Sequence, residues 1–203
     1  NDEFDCGKLP KALLDIIQDE EKRKKLIIYI NPPYAEAASA KTVTGTGANK
    51  AGTATSNKTY SRYKELIGSA CNELFAQFLI RIYHELSLCK IAEFSKLKTL
   101  QSSNFQEFRK HYRAKLEKIF IVPAKTFDNV NGEFPIGFKI WDASIEETFE
   151  LCTAEIYDRS GLIGRRTFRP EYTFINRWYS TYYPKKGNLG LSPIGIMNTR
   201  GND

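Results

Sequence analysis

Apolar residues Leu9, Leu13, Ile16 and Ile17 recur on one side of a helical period and predict a surface helix over residues 9–25. Its far end is Asp19-Glu20-Glu21-Lys22-Arg23-Lys24-Lys25, where acids and bases mix, so the run reads as a solvated face rather than a basic patch. Leu26-Ile27-Ile28-Tyr29-Ile30 is short, β-branched and apolar on both faces, the pattern of a buried parallel strand. It stops at Asn31-Pro32-Pro33-Tyr34. Two consecutive prolines lack N–H donors and fix φ, so the chain leaves the strand there in a rigid turn. That puts the tetrapeptide at a strand's carboxyl end, where open α/β sheets place their ligands.

Residues 35–59 have almost no apolar anchor and contain Gly45, Gly47 and Gly52, which predicts a mobile loop. Gly45-Thr46-Gly47-Ala48-Asn49-Lys50 follows no strand and fits neither phosphate-binding fingerprint, so a flexible lid is the reading rather than a nucleotide cradle. Helical period returns over 72–86, with a wide apolar face of Leu74, Phe75, Phe78, Leu79, Ile82, Tyr83 and Leu86. Residues 90–94 read as a strand, 105–116 as an amphipathic helix carrying Phe105, Phe108, Tyr112 and Leu116, and 118–122 as another strand. The alternation is βαβαβ. A strand over 136–141 follows the turn-rich residues 128–132, so the last two strands are expected to form an antiparallel pair at the sheet edge. Beyond Trp141 come strand-like pieces such as 150–157, then a basic, aromatic stretch; a second region is expected from residue 143 to 203.

At 203 residues and 41% hydrophobic, the chain suits one packed domain or a domain and the start of another. No apolar run approaches the length of a membrane span and no signal peptide is visible, so a cytoplasmic protein with no membrane partner is expected. Cys6, Cys71, Cys89 and Cys152 are widely spaced, without a C-x-x-C pair or histidines at ligand spacing, so neither a metal site nor a disulfide framework is expected. His84 and His111 each lie in a helical pattern and read as structural. The net charge of +6 is compatible with a polyanionic partner. Its placement says more: residues 159–186 hold seven bases, among them Arg165, Arg166, Arg169 and Arg177, against the single acid Glu171.

Asn-Pro-Pro-Tyr should arise by accident in about one chain in a thousand of this length. With the strand before it, the helix starting Asn72-Glu73-Leu74-Phe75, the segment Phe105-Gln106-Glu107-Phe108-Arg109-Lys110, and Phe127 leading into Ile136-Gly137-Phe138-Lys139-Ile140-Trp141, the chain resembles the bacterial adenine-specific DNA methyltransferases of restriction–modification systems. The first motif is specific and the rest are weak. The resemblance implies an α/β fold: residues 1–142 would be the C-terminal half of a Rossmann-like, S-adenosylmethionine-dependent methyltransferase sheet, and a DNA target-recognition region would begin in the strand-rich segment after it. It also implies double-stranded DNA as partner and S-adenosylmethionine as cofactor. Adenine's exocyclic amine is a poor nucleophile because its lone pair is delocalised, and two acceptors can favour its increasingly positive, tetrahedral form. In the family these are the Asn side-chain carbonyl and the next main-chain carbonyl, here Asn31 and Pro32. Such enzymes flip the base from the duplex. Tyr34 would stack on it and Phe127 would cover its other side, with Phe134 a rival.

The sequence departs from the family in lacking the glycine-rich loop and the acid that holds the cofactor's ribose. The resemblance places these upstream of Asn1, in the same polypeptide, so the isolated fragment is expected to be inactive. Two other functions fit parts of the sequence. Protein glutamine methyltransferases use the same tetrapeptide on another weakly nucleophilic planar nitrogen. Against that reading stand the long Gly/Thr-rich loop and the basic tail, in which Arg165, Arg166, Arg169, Tyr172, Trp178, Tyr179, Tyr182 and Tyr183 suit phosphate contact and stacking. A non-catalytic nucleic-acid-binding module that retains a methyltransferase-like fold would show salt-dependent DNA binding. The same tail reads equally as a strand-rich core with solvated arginines.

Overall fold

The computed structural model of the protein describes residues 9–32, 55–127 and 134–170. The expected first helix is two: α1 (Lys11–Gln18) and α2 (Glu20–Arg23). Asp19 separates them in extended conformation, and its carboxylate accepts from the Glu21 and Lys22 N–H groups as an N-cap. The chain then forms β1 (Ile27–Ile30). The helix α3 (Lys58–Ile67) overlaps the end of the expected loop and was not anticipated. Asn57 caps it by accepting from the Tyr60 N–H at 2.7 Å, and its amide donates to Gln77 at 3.0 Å on the following helix. The helix ends at Gly68, whose φ of +56° suits a residue without a Cβ.

After a 3-10 turn at Gly68–Asn72 come α4 (Leu74–Glu85) and β2 (Lys90–Lys96), close to the expected bounds. The short α5 (Lys98–Gln101) follows. The helix expected over 105–116 is only α6 (Gln106–His111), because β3 (Ala114–Pro123) already contains Leu116. Phe105, Phe108 and Tyr112 are nonetheless buried as the period required. The last strands are β4 (Pro135–Glu146), β5 (Cys152–Asp158) and β6 (Gly161–Phe168).

The six strands form one sheet in the order β1-β2-β4-β3-β5-β6. β1 and β2 are parallel, and β4 is antiparallel to both of its neighbours, so β1, β2 and β3 all point the same way. β3 and β4 pair antiparallel as expected, but not at the edge: β4 lies between β2 and β3. β4 also carries the chain across residues 142–143, and the β5–β6 hairpin joins the same sheet through the parallel pair β3–β5.

Register puts Ile28, Ile91, Trp141 and Ile119 on one face, which packs with Ile67, Phe75, Leu79, Phe105 and Phe108 from the helical layer. The stacked Phe75–Phe105 pair lies at 5.4 Å and the Tyr112–Trp141 pair at 5.2 Å. The other face is aromatic: Tyr29, Phe94, Phe138, Phe120 and Tyr157 make ring contacts from strand to strand. β1 was expected to be buried on both faces, yet Ile27 and Tyr29 on this second face are 65% exposed. Among the described residues no strand pairs with the outer edge of β1.

The centre of the covered face is polar. Lys139 and Glu93 are fully buried, opposite one another in register, with Nζ 3.0 Å from Oε1. Lys139 also donates to the Ser95 hydroxyl at 2.6 Å, and the Trp141 indole donates to Glu93 at 3.2 Å. Burial pulls the Lys139 ammonium below its ordinary pKa, and the Glu93 carboxylate opposes that shift. Removing one partner strands a charge in the interior, so Lys139→Ala should cost about 3–5 kcal/mol in urea unfolding, and Glu93→Leu with Lys139→Met should recover most of it. A single-variant loss under about 1 kcal/mol would show that the pair does not organise the sheet.

Candidate functional site

Strand direction gathers the site. The carboxyl ends of β1, β2 and β3 and the amino end of β4 meet at one end of the sheet. Asn31 and Pro32 leave β1 there, Asn31 exposed and Pro32 buried. Pro33 and Tyr34 lie outside the described residues. β3 runs into a 3-10 turn, Ala124–Thr126, that leads to Phe127. The Ala124 N–H donates to the Phe134 carbonyl at 2.9 Å, which fixes the start of β4 beside the end of β3.

The two aromatic candidates sit differently. Phe127 stands edge-on to Phe94 at 5.1 Å, and Phe94 in turn contacts Tyr29 of β1 at 6.4 Å. Rings therefore link Phe127 to the strand that delivers Asn31. Phe134 lies under the Lys96 ammonium at 5.8 Å.

The basic candidates are on the far side of the sheet. Arg165 and Arg166 are on β6, five strand spacings from β1, or about 24 Å at about 4.8 Å each. Arg165 is bound to Glu155 across the β5–β6 hairpin at 2.9 Å. Hydrogen bonds from Arg165 and Tyr157 hold the Glu155 carboxyl below its ordinary pKa. The Arg166 guanidinium covers the Phe168 ring at 5.6 Å. Arg169 is exposed just after β6, and Arg177 with the aromatic residues after it lies outside the described residues.

Other reactive side chains serve the core. Burial pushes the thiols of Cys71, Cys89 and Cys152 up to about 11, too high for a thiolate nucleophile at neutral pH. The His84 ring stacks on Tyr63 at 5.8 Å; burial and then the neighbouring His111 lower its pKa. Among the described residues no cluster of His, Cys, Asp and Glu could hold a metal ion, and no helix is long and apolar enough to cross a membrane.

The residues present fit only the acceptor side of an S-adenosylmethionine site. Asn31 and Pro32 offer carbonyls at the strand end. Glu93, the register partner of Ile30, is buried against Lys139 and Trp141 and so is not available to a cofactor's ribose.

No protein family matches the chain, and no curated protein matches it. Several solved structures are similar to it. One is a Vibrio vulnificus YJ016 protein assigned as the modification subunit of a type I restriction enzyme, at 13% identity and a TM-score of 0.44, covering 68% of this chain and 28% of that one. The DrdV–DNA complex gives 15% identity and a TM-score of 0.42 over 68% of this chain and 15% of that one. The ATP-dependent Type ISP restriction–modification enzyme LlaBIII, bound to DNA, gives 9% and 0.38 over 68% and 10%. The chain thus spans less than a third of the length of each of these.

The thiol chemistry is directly checkable. Under alkylation at pH 7.5 the folded protein should protect the buried Cys71 and Cys89 more strongly than the half-buried Cys152, and denaturant should release all three, as read by peptide mass spectrometry. Rapid labelling of Cys89 in the folded protein would contradict its burial beneath the helical layer.

Proposed function

We propose that the chain is the amine-acceptor part of an S-adenosylmethionine-dependent DNA adenine-N6 methyltransferase belonging to a restriction–modification enzyme. The observation that carries the reading is the arrival of Asn31-Pro32 at the carboxyl end of a strand paired parallel to β2, in a sheet whose antiparallel β4 is inserted between β2 and β3. The parallel strands with β4 between them form the C-terminal half of a Rossmann-like methyltransferase sheet.

The acceptor chemistry follows from the residues. The Asn31 side-chain carbonyl and the Pro32 main-chain carbonyl accept hydrogen bonds from the two amine protons of an extruded adenine. These bonds strengthen as the nitrogen becomes tetrahedral and positive, so they favour the transition state over the planar ground state. Proline suits the position because it keeps its carbonyl and adds no competing donor. Tyr34 stacks on the base and Phe127, already joined to β1 by rings, borders the other side. S-Adenosylmethionine, when bound, supplies the electrophilic methyl group. The region from residue 143, with Arg165, Arg166, Arg169 and Arg177, contacts DNA phosphates.

The test is labelled-methyl transfer to duplex DNA by the full-length protein, wild type beside Asn31→Ala, with the products digested to nucleosides. Label should appear as N6-methyladenine and fall at least about 100-fold in the folded variant, since losing one transition-state hydrogen-bond partner costs about that much. Label on glutamine side chains would transfer the assignment to protein methylation, and an undiminished variant would remove Asn31 from the chemistry.

A further inference from the structure

A second site lies at the opposite end of the sheet. A cavity of about 370 Å³ opens beside the amino end of β3 and the carboxyl end of β4, with Arg109, Trp141, Phe149 and Pro170 in its lining. β3 separates this end from the Phe127 end by about 30 Å, from its ten residues at about 3.3 Å each. The cavity is therefore separate from the Asn31 site, while Pro170 in its lining directly follows Arg169.

Arg109 is the unusual group. Its guanidinium is half-buried and donates to the Thr99 carbonyl at 3.3 Å; among the described residues no carboxylate pairs with it. The rim charges differ. Lys110 is paired with Glu107, Arg113 with Glu146, and Glu147 with Lys115. Desolvation pulls Arg109 down to about 10, which still leaves it charged at neutral pH. Thr99 also lines the cavity, and its hydroxyl is buried without a hydrogen-bond partner among the described residues. A half-buried cation with spare donors beside an unused hydroxyl is costly unless an anion completes it.

The remaining walls choose the kind of anion. Tyr112 and Trp141, packed edge to face at 5.2 Å and nearly buried, floor the cavity, and the half-buried Phe149 offers the more accessible ring. Inorganic phosphate would fill little of this volume and leave the aromatic wall unused. We propose that the cavity binds a small organic anion, a carboxylate or phosphate on a flat apolar body, with the oxyanion on Arg109 and the flat body against the aromatic wall.

The test is calorimetric titration of the protein with benzoate, phenyl phosphate, neutral benzamide and inorganic phosphate. Benzoate or phenyl phosphate should bind at least about ten-fold more tightly than benzamide and inorganic phosphate, the usual worth of a charge-assisted hydrogen bond. Whether carboxylate or phosphate is the better head group shows which source of oxyanion the site suits. Arg109→Met should lose the preference over benzamide while its unliganded melting temperature stays level or rises, because an uncompensated charge has been removed. Arg109→Gln, which retains a donor for the Thr99 carbonyl, serves if the methionine variant does not fold. Equal binding of benzoate and benzamide, no binding by either anion, or an unchanged preference in the folded variant would overturn the assignment.

Discussion

A lysine ammonium and a glutamate carboxylate, both withdrawn from water, meet at the centre of the sheet. The Lys139–Glu93 pair joins β4 to β2 at the position where a one-residue slip of β4 would turn Lys139 toward the aromatic face and leave Glu93 buried without its partner. Burying two charges is expensive, and such pairs contribute less to stability than to choosing one register. Here that choice matters. With β4 locked between β2 and β3, the strand ends align, and Asn31, Phe127 and Phe134 come to the same end of the sheet.

The two sheet faces then take different roles. The helical layer closes one, where Phe75, Leu79, Phe105 and Phe108 are buried. The other bears rings from Tyr29 to Tyr157, and Ile27 and Tyr29 remain 65% exposed on a strand whose sequence has the composition of an interior strand. A catalytic reading needs both parts: a rigid sheet to hold Asn31 within hydrogen-bond tolerance of an amine, and aromatic surface near it to receive a base.

Much of this was legible from local pattern. The strand before Asn31, the helix at Leu74–Glu85 and β2 follow from periodicity and turn residues, because those signals act within a few residues. The insertion of β4 was not, since strand order is set by long-range pairing; its trace in the sequence is Lys139, a charge on the inward side of an apolar strand, opposite Glu93. The helix α3 was hidden by the polar run before it, although Asn57 followed by Tyr60, Tyr63 and Ile67 has cap and spacing. Leu116 continued the helical period of Phe105, Phe108 and Tyr112 by coincidence, and β3 claimed it. Of the site, Asn31 and Pro32 stand at the strand end where the motif put them, and Phe127 sits with the ring cluster that reaches β1, while Arg165 is engaged by Glu155.

The proposed role of Asn31 is to hold the amine of an adenine in DNA. Its most direct test is a genome-wide map of N6-methyladenine in a host lacking its own adenine methylation and expressing the full-length protein, wild type or Asn31→Ala at equal abundance. One short recognition sequence should be methylated throughout the wild-type genome and bare in the variant. An unmethylated genome with the wild type, or the same methylated sequence with the variant, would contradict that role.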